Sequence, residues 1–220
     1  MRAALKKMAT LYYYAACGRG NALRLALAEA GIEWVDEYPQ GFPPTAEEVN
    51  YWRSIGGNLT TNVPMLKTAD GKVFCQSSAV LRAIGRMGKL LPSADDDLYL
   101  IDKLVADAED SRSAAYRALP LMGATKEASA AFVEAFKTKH LPNFERQLGD
   151  KEFFVGETVS IADITVFDAL TNFGEGLIPG VLDAFPKLKA WKERLAARPK
   201  IAAYLASEAF SKLMKFGPIV

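Results

Sequence analysis

Residues 10–38, TLYYYAACGRGNALRLALAEAGIEWVDEY, predict the first supersecondary unit of the chain. The consecutive tyrosines favour a β-strand, because aromatic side chains fit a pleated surface. After Gly18-Arg19, apolar residues recur on one helical face until Gly31, a typical helix end: Leu23, Ala26, Leu27 and Ala30. The segment IEWVDEY predicts a second strand. The two strands of such a strand–helix–strand unit should be parallel.

A hairpin and a helix are predicted next. Residues 63–76, VPMLKTADGKVFCQ, contain two short apolar runs around Asp70-Gly71, which is a hairpin pattern. Residues 77–88, SSAVLRAIGRMG, predict a helix that is capped by a serine and ends at Gly88. The order β-α-β followed by β-β-α predicts an α/β thioredoxin-like domain over residues 1–88, in which residues 1–8 are an extension.

The second half of the chain predicts an all-α domain over residues 96–220, joined to the first by a linker at 89–95. Apolar positions recur at helical spacing in three places: Leu98, Ile101, Val105 and Ala108; Phe132, Phe136 and Phe144; and Leu188, Trp191 and Leu195. Pro142 is expected to bend the second of these helices, and Pro199 suits the first turn of another. Ser160 and Asp163 have the spacing of a capping box at the start of a further helix, with Asp in place of Glu.

Composition excludes several classes of function. The 27 basic and 26 acidic residues nearly cancel, which argues against a nucleic-acid or anionic-membrane partner. Two cysteines cannot form a disulfide framework, and neither a membrane-length apolar run nor a signal-peptide pattern is present, so a cytoplasmic protein is expected. The single histidine, His140, has no cysteine or carboxylate cluster at ligand spacing, so no metal site is predicted.

Six short motifs together resemble the cytosolic glutathione transferases of the tyrosine type, with pi-like and sigma-like features. They are YYAACGR at 13–19, NVP at 62–64, QSS at 76–78, AED at 108–110, SIAD at 160–163 and LDAFPKLKAWKERLAARPKIAAYL at 182–205. The resemblance covers nearly the whole chain. It implies a homodimeric enzyme that conjugates glutathione to hydrophobic electrophiles, with glutathione as co-substrate and no metal or other cofactor.

The resemblance implies that Tyr13 is the catalytic residue, because the family's catalytic hydroxyl lies five residues before the glycine of the Gly-Arg pair. A free thiol has a pKa of about 8.5 and is mostly protonated at neutral pH. A hydroxyl that donates a hydrogen bond to sulfur stabilises the thiolate. Alternation along the strand should direct Tyr12 and Tyr14 to one side and Tyr13 to the other.

The same resemblance implies the residues that bind glutathione. Arg19 supports the site electrostatically, and the backbone of Val63, before a cis Pro64, pairs with the cysteinyl part. Gln76 and Ser77 precede a helix whose N-terminus suits the γ-glutamyl carboxylate.

Two further implied contacts involve a second subunit and the glycyl end. Asp110 would reach across the dimer to the γ-glutamyl ammonium. Trp52 and Asn62 would bind the glycyl end, although the lysine that pi and sigma members place after this tryptophan has no clear counterpart here. Thr60 stands where pi members carry an aromatic residue that inserts into the partner subunit.

An electrophile pocket is expected between the two domains, with an apolar lining that suits hydrophobic substrates. By position, its candidate residues are Tyr14, Ala16, Cys17, Tyr116 and Pro120.

Three other functions remain open from the sequence. Cys17 near a helix N-terminus could serve an omega-like thiol transferase, although Gly18-Arg19 follow where those proteins have a proline and an aromatic residue. A glutathione-dependent isomerase resembling the prostaglandin-synthesising members would also use Tyr13. A non-catalytic ligand-binding relative would have the same fold.

Overall fold

The computed structural model describes residues 8–56, 59 and 63–220. The chain divides into two units, Met1–Lys89 and Leu90–Val220. Among the described helices, none combines the length and the apolar character needed to cross a bilayer.

The described part of the first unit has a four-stranded sheet and three α-helices. In chain order they are β1 (Ala9–Tyr12), α1 (Asn21–Ala30), β2 (Trp34–Glu37), α2 (Ala46–Gly56), β3 (Met65–Lys67), β4 (Val73–Cys75) and α3 (Ser77–Met87). The sheet order is β2-β1-β3-β4, with β1 parallel to β2 and both other pairs antiparallel. The βαβ unit, the hairpin around Asp70-Gly71 and the thioredoxin-like fold class are therefore confirmed.

Helices α1 and α3 pack against each other closely. A Cβ atom at Gly88, the C-cap of α3, would lie 2.3 Å from the Cβ of Ala30. Gly31 ends α1 at φ 68°, a left-handed conformation that glycine adopts without steric cost. Both predicted helix ends are confirmed. The predicted serine cap of α3 is wrong, because the helix begins at Ser77 and its N-cap is Gln76.

Helix α2 was not predicted, although its capping pattern is visible in the sequence. The backbone N–H of Thr45 donates to Glu48 at 2.7 Å, and the N–H of Glu48 donates to the Thr45 hydroxyl at 3.2 Å. This reciprocal pair is a capping box. The preceding Phe-Pro-Pro run suggested an irregular segment and concealed it.

The described part of the second unit consists of helices and connecting turns. Its α-helices are α4 (Asp95–Ala118), α5 (Lys126–Ala135), α6 (Leu141–Leu148), α7 (Ile161–Asp168), α8 (Pro186–Ala196), α9 (Pro199–Leu205) and α10 (Glu208–Ser211). Helix α7 is buried along its whole length and packs against α4. A buried ion pair of 3.0 Å joins Arg112 of α4 to Asp168 of α7. The all-α class is confirmed.

The bend expected at Pro142 takes a different form. Residues Phe136–His140 are π-helical and connect α5 to α6. Pro142 lies in the first turn of α6, where its missing N–H removes one helical hydrogen bond. The wider π-turn precedes that point, so the chain stays helical and the irregularity lies before the proline.

Candidate active site

Tyr13 follows β1 directly and lies between two tyrosines whose rings contact α2. Its backbone N–H donates to the carbonyl of Glu37 at 3.2 Å, which extends the parallel pairing by one residue. The rings of Tyr12 and Tyr14 contact aromatic residues of α2, Tyr51 and Trp52 respectively. The Tyr14 ring also lies 5.4 Å from the Tyr13 ring, so the alternation that would separate these two side chains stays a prediction.

A tight turn brings Arg19 back to Tyr13. Residues Gly18–Gly20 form a 3-10 turn, and Gly18 has φ 35°. The backbone N–H of Arg19 donates to the Tyr13 hydroxyl oxygen at 2.8 Å. A Cβ atom at Gly20 would lie 2.4 Å from Cδ1 of the Tyr13 ring, so the turn approaches the ring as closely as glycine allows. The turn thus aims a backbone donor at the phenol oxygen.

The other two tyrosines are poor candidates for ionisation. Burial raises the pKa of Tyr12, and its hydrogen bond with Tyr51 adds to the effect. Burial also raises the pKa of Tyr14, and negative charge on Tyr13 raises it further. Tyr12 and Tyr14 therefore keep their protons at neutral pH.

Cys17 is fully buried, with no exposed surface. It precedes the 3-10 turn, and its carbonyl accepts a hydrogen bond of 2.8 Å from the N–H of Asn21. A side chain without exposed surface cannot line a pocket, so the assignment of Cys17 to the electrophile pocket is wrong. Of its predicted companions in this unit, Tyr14 is half-buried and Ala16 is 7% exposed.

Val63 and Pro64 lie beside the end of β1. Their peptide bond is cis, as the resemblance implies. The antiparallel pairing of β1 and β3 places Met65 opposite Tyr12. Pro64 directly precedes Met65, and Val63 packs against the cluster of Tyr12, Trp52 and Met65, so both lie next to the end of β1. Two further predicted positions, Asn62 and Thr60, lie outside the described residues.

Gln76 has a strained backbone at the same end of the sheet. Its φ of 71° is unusual for a residue other than glycine, and such strain is often found at functional sites. Gln76 follows β4, whose last residue Cys75 pairs with Met65. Gln76 is exposed and Ser77 half-buried, and both lie at the N-terminus of α3, where backbone N–H groups can receive an anion.

Trp52 lies in the core of the first unit. Only 3% of its surface is exposed, and it packs with Tyr12 and Met65, while Val63 contacts the same cluster. The Trp52 ring therefore packs behind Tyr14 and Val63. Any contact with a ligand must be made by its small exposed fraction.

The predicted residues of the second unit lie on α4 and in the turn after it. Asp110 is exposed, whereas the adjacent Glu109 forms an ion pair with Arg112, with 2.7 Å between Glu109 Oε2 and Arg112 Nη1. Tyr116 is half-buried in an aromatic cluster with Phe173 and Phe216. Pro120, which is exposed, begins a 3-10 turn.

One residue at this site was missed by sequence reasoning. Arg24 of α1 is buried and donates hydrogen bonds to Asp36 and to the carbonyls of Tyr14 and Ala16. An arginine among the apolar residues of RLALAEA was the only signal, and it does not reveal the partners. Among the described residues, no three histidine, cysteine or acidic side chains are grouped to hold a metal ion.

Comparisons with known proteins agree with the resemblance in the motifs. A family model described as "Glutathione S-transferase, C-terminal domain" matches residues 109–208. Glutathione S-transferase P of Homo sapiens is 34% identical over 209 residues, which cover 93% of this chain and 94% of the relative. Glutathione S-transferase alpha I of Oryctolagus cuniculus is 31% identical over 199 residues, 89% of this chain and 86% of the relative.

Glutathione S-transferase P 1 of Bufo bufo is 31% identical over 208 residues, covering 92% of this chain and 94% of the relative. Similarity at this level extends along both units and matches the observed fold class. The chain is therefore a member of the glutathione S-transferase family of enzymes.

Proposed function

We propose that this protein conjugates glutathione to hydrophobic electrophiles and that the Tyr13 hydroxyl stabilises the glutathione thiolate. The observation that carries the proposal is the 2.8 Å hydrogen bond from the Arg19 N–H to the Tyr13 oxygen. A phenol oxygen that accepts a hydrogen bond can still donate its own proton. The amide dipole stabilises negative charge on this oxygen while that proton is shared with sulfur.

The chemistry needs glutathione as co-substrate and no metal or redox cofactor. The thiol loses its proton to solvent, and the hydrogen bond from Tyr13 favours the resulting thiolate. The sulfur then bonds to an electrophilic carbon, to which it adds or from which it displaces a leaving group. The Tyr13 hydroxyl acts on the charge of sulfur throughout and forms no covalent bond.

Glutathione is proposed to bind at the end of the sheet where Val63, Gln76 and Ser77 lie near Tyr13. The cysteinyl part pairs with the Val63 backbone next to Pro64, and the γ-glutamyl carboxylate meets the N-terminus of α3. Support comes from the β1–β3 and β3–β4 registers, which bring these segments to one end of the sheet.

The remaining contacts follow the family pattern. Arg19 adds positive charge, and Trp52 and Asn62 serve the glycyl end. Asp110 acts from a second subunit of a homodimer in the cytoplasm. The electrophile is proposed to contact Tyr14, Ala16, Tyr116 and Pro120.

Three variants test the role of Tyr13 against those of its neighbours. Tyr13→Phe should lower kcat for conjugation of a chloronitrobenzene about 10- to 100-fold, since a hydrogen bond to a charged group contributes about 1.5–3 kcal/mol. It should also raise the pKa of enzyme-bound glutathione, followed by thiolate absorbance against pH. Tyr12→Phe is the matched control, because Tyr12 is an adjacent buried tyrosine in the core.

Cys17→Ala tests the thiol-transferase alternative and should retain turnover, because the side chain is fully buried. Loss of turnover in Cys17→Ala with retention in Tyr13→Phe would contradict the proposal. Glutathione binding without turnover by the wild type would favour a non-catalytic ligand-binding protein instead.

A further inference from the structure

The guanidinium of Arg24 joins α1 to β2 and to the loop that follows Tyr13. Only 1% of the Arg24 surface is exposed. Its Nε donates to Asp36 at 2.8 Å, Nη1 to the Ala16 carbonyl at 2.9 Å, and Nη2 to the Tyr14 carbonyl at 3.1 Å. These contacts use donors on all three guanidinium nitrogens.

The geometry of these contacts requires arginine. A guanidinium is a rigid planar fork whose donors point in several fixed directions, whereas a lysine ammonium is a single point on a flexible stem. The Asp36 carboxylate balances the buried charge, and its second oxygen accepts from the Trp34 indole N–H at 3.2 Å. Two further donors are directed at main-chain carbonyls, so this arginine fixes backbone as well as forming an ion pair.

The two carbonyls lie in the segment whose path places the Arg19 N–H. The chain runs from Tyr13 through Tyr14 and Ala16 to the turn at 18–20, and it returns to the Tyr13 oxygen through the Arg19 amide. If this segment shifted by about 1 Å, the amide would lose hydrogen-bond distance and alignment to the phenol. Arg24 holds this segment at two points.

The guanidinium also lies close to the Tyr13 ring. Its central carbon is 5.8 Å from the ring centroid, within the range of a cation–π contact. Because Asp36 balances the guanidinium charge, this contact acts on position: it helps to hold the Tyr13 ring in place.

We propose that Arg24 is a positioning residue for the Tyr13 hydroxyl. Its hydrogen bonds to the Tyr14 and Ala16 carbonyls hold the loop that carries the Arg19 amide to this hydroxyl. The catalytic consequence rests on the proposed function of Tyr13, whereas the loop-holding role does not. Arg24 reaches the reaction only through Tyr13 and the Arg19 amide.

Two variants remove the Arg24 guanidinium in different ways. Arg24→Lys keeps a positive charge but cannot bridge three acceptors. The double variant Arg24→Met/Asp36→Leu removes both charges, so neither is left buried without a partner, and such apolar replacements of buried pairs are often neutral for stability. Arg86→Lys, at an exposed arginine of α3, is the matched control. Thermal unfolding verifies that each variant is folded.

The first measurement is amide hydrogen exchange of Arg19 in the protein without glutathione. Exchange should be about tenfold faster or more in both Arg24 variants and unchanged in Arg86→Lys, because the loop is no longer held. The second is steady-state conjugation with the pH titration of bound glutathione. We expect kcat to fall about tenfold, KM for glutathione to change little and the pKa of the bound thiol to rise by about one unit.

The outcomes separate the positioning role from a structural one. If the Arg24 variants lose only stability, while Arg19 exchange and the thiol pKa match the wild type, the proposal is wrong. If Arg24→Lys fails to fold, the double variant decides by the same criteria. If Tyr13→Phe itself leaves kcat unchanged, the proposed function fails, and Arg19 exchange still decides the role of Arg24.

Discussion

At the scale of single residues, hydrogen-bond partners distinguish three adjacent tyrosines of the same chemistry. Tyr12 lies in an apolar cluster with Trp52 and Met65. Tyr13 has a backbone amide directed at its oxygen, because Gly18 and Gly20 allow the chain to turn back over its ring. Gly20 is therefore as important for the environment of the hydroxyl as Tyr13 itself, because it lets the Arg19 amide reach the oxygen.

Gly20→Ala should reduce catalysis without unfolding the protein. The added methyl would lie 2.4 Å from the Tyr13 ring, so the ring or the turn must move. We expect a cost of about 1–3 kcal/mol in the free energy of unfolding. Because the Arg19 N–H belongs to the same turn, kcat should fall about tenfold or more.

Steady-state kinetics and urea unfolding measure the two effects of Gly20→Ala. Gly41→Ala is the control, because the nearest atom to its new methyl is 3.9 Å away. Equal kcat values for the two variants would show that the close approach of Gly20 to the ring does not matter for turnover.

At the scale of elements, the capping box at the start of α7 is the clearest local stabilising motif in the second unit. The backbone N–H of Ser160 and its hydroxyl donate to one Asp163 oxygen at 2.9 Å, and the Phe154 N–H donates to the other at 2.9 Å. Asp163 has no exposed surface. The residue therefore caps the helix and also fixes the preceding loop.

Asp163→Asn should destabilise the protein by about 3 kcal/mol, because an amide nitrogen replaces one of two oxygens that accept buried hydrogen bonds. Thr125→Ala, at the exposed cap of α5, should cost about 1 kcal/mol or less. Urea unfolding of both variants tests the difference. Equal losses of unfolding free energy would mean that burial of the Asp163 cap adds nothing to its contribution to stability.

The difference in stability between wild type and Asp163→Asn should depend on pH. Burial raises the pKa of Asp163 in spite of its hydrogen bonds. Between the ordinary aspartate pKa of about 3.9 and this raised value, the folded state keeps a proton that the unfolded state has lost, so stability falls as pH rises. The difference in unfolding free energy between wild type and Asp163→Asn should therefore be larger at pH 4 than at pH 7. A larger difference at pH 7 would reverse the sign that we assign.

At the scale of the whole molecule, the proposed site takes Asp110 from a second subunit. Asp110 is exposed on α4, while the adjacent Glu109 is engaged with Arg112 inside its own subunit. Asp110→Asn should raise KM for glutathione about tenfold, because a charge-assisted contact with the γ-glutamyl ammonium is lost. Asp96→Asn, at another exposed acid of α4, should leave KM unchanged.

Mixing two defective proteins tests whether Asp110 acts across the dimer. A heterodimer of Tyr13→Phe and Asp110→Asn subunits would have one complete site and one site that lacks both residues. Random re-pairing should therefore restore about a quarter of the wild-type sites, measured as turnover at low glutathione concentration. No gain on mixing, with subunit exchange verified by mass, would mean that Asp110 acts within its own subunit.

The sequence by itself determined the order of the strands, the helices α1 and α3, and the identity of the main catalytic candidate. Apolar periodicity, Gly31, Gly88 and the Ser160–Asp163 spacing are local features, so they predicted helices and ends correctly. Tyr13 was distinguished by strand alternation and by the resemblance of its spacing to Gly18-Arg19. Local reasoning failed at α2, where the preceding prolines concealed a capping box.

Only the tertiary structure determined what surrounds Tyr13. The burial of Cys17, the backbone donor of Arg19 and the contacts of Arg24 with Asp36 depend on which strands are adjacent and how the loop packs. A sequence pattern records which side of an element a residue occupies, but it does not record the partners that chain folding brings from elsewhere. The physical reason is that hydrogen bonding and desolvation act over a few ångströms in space, regardless of separation along the chain.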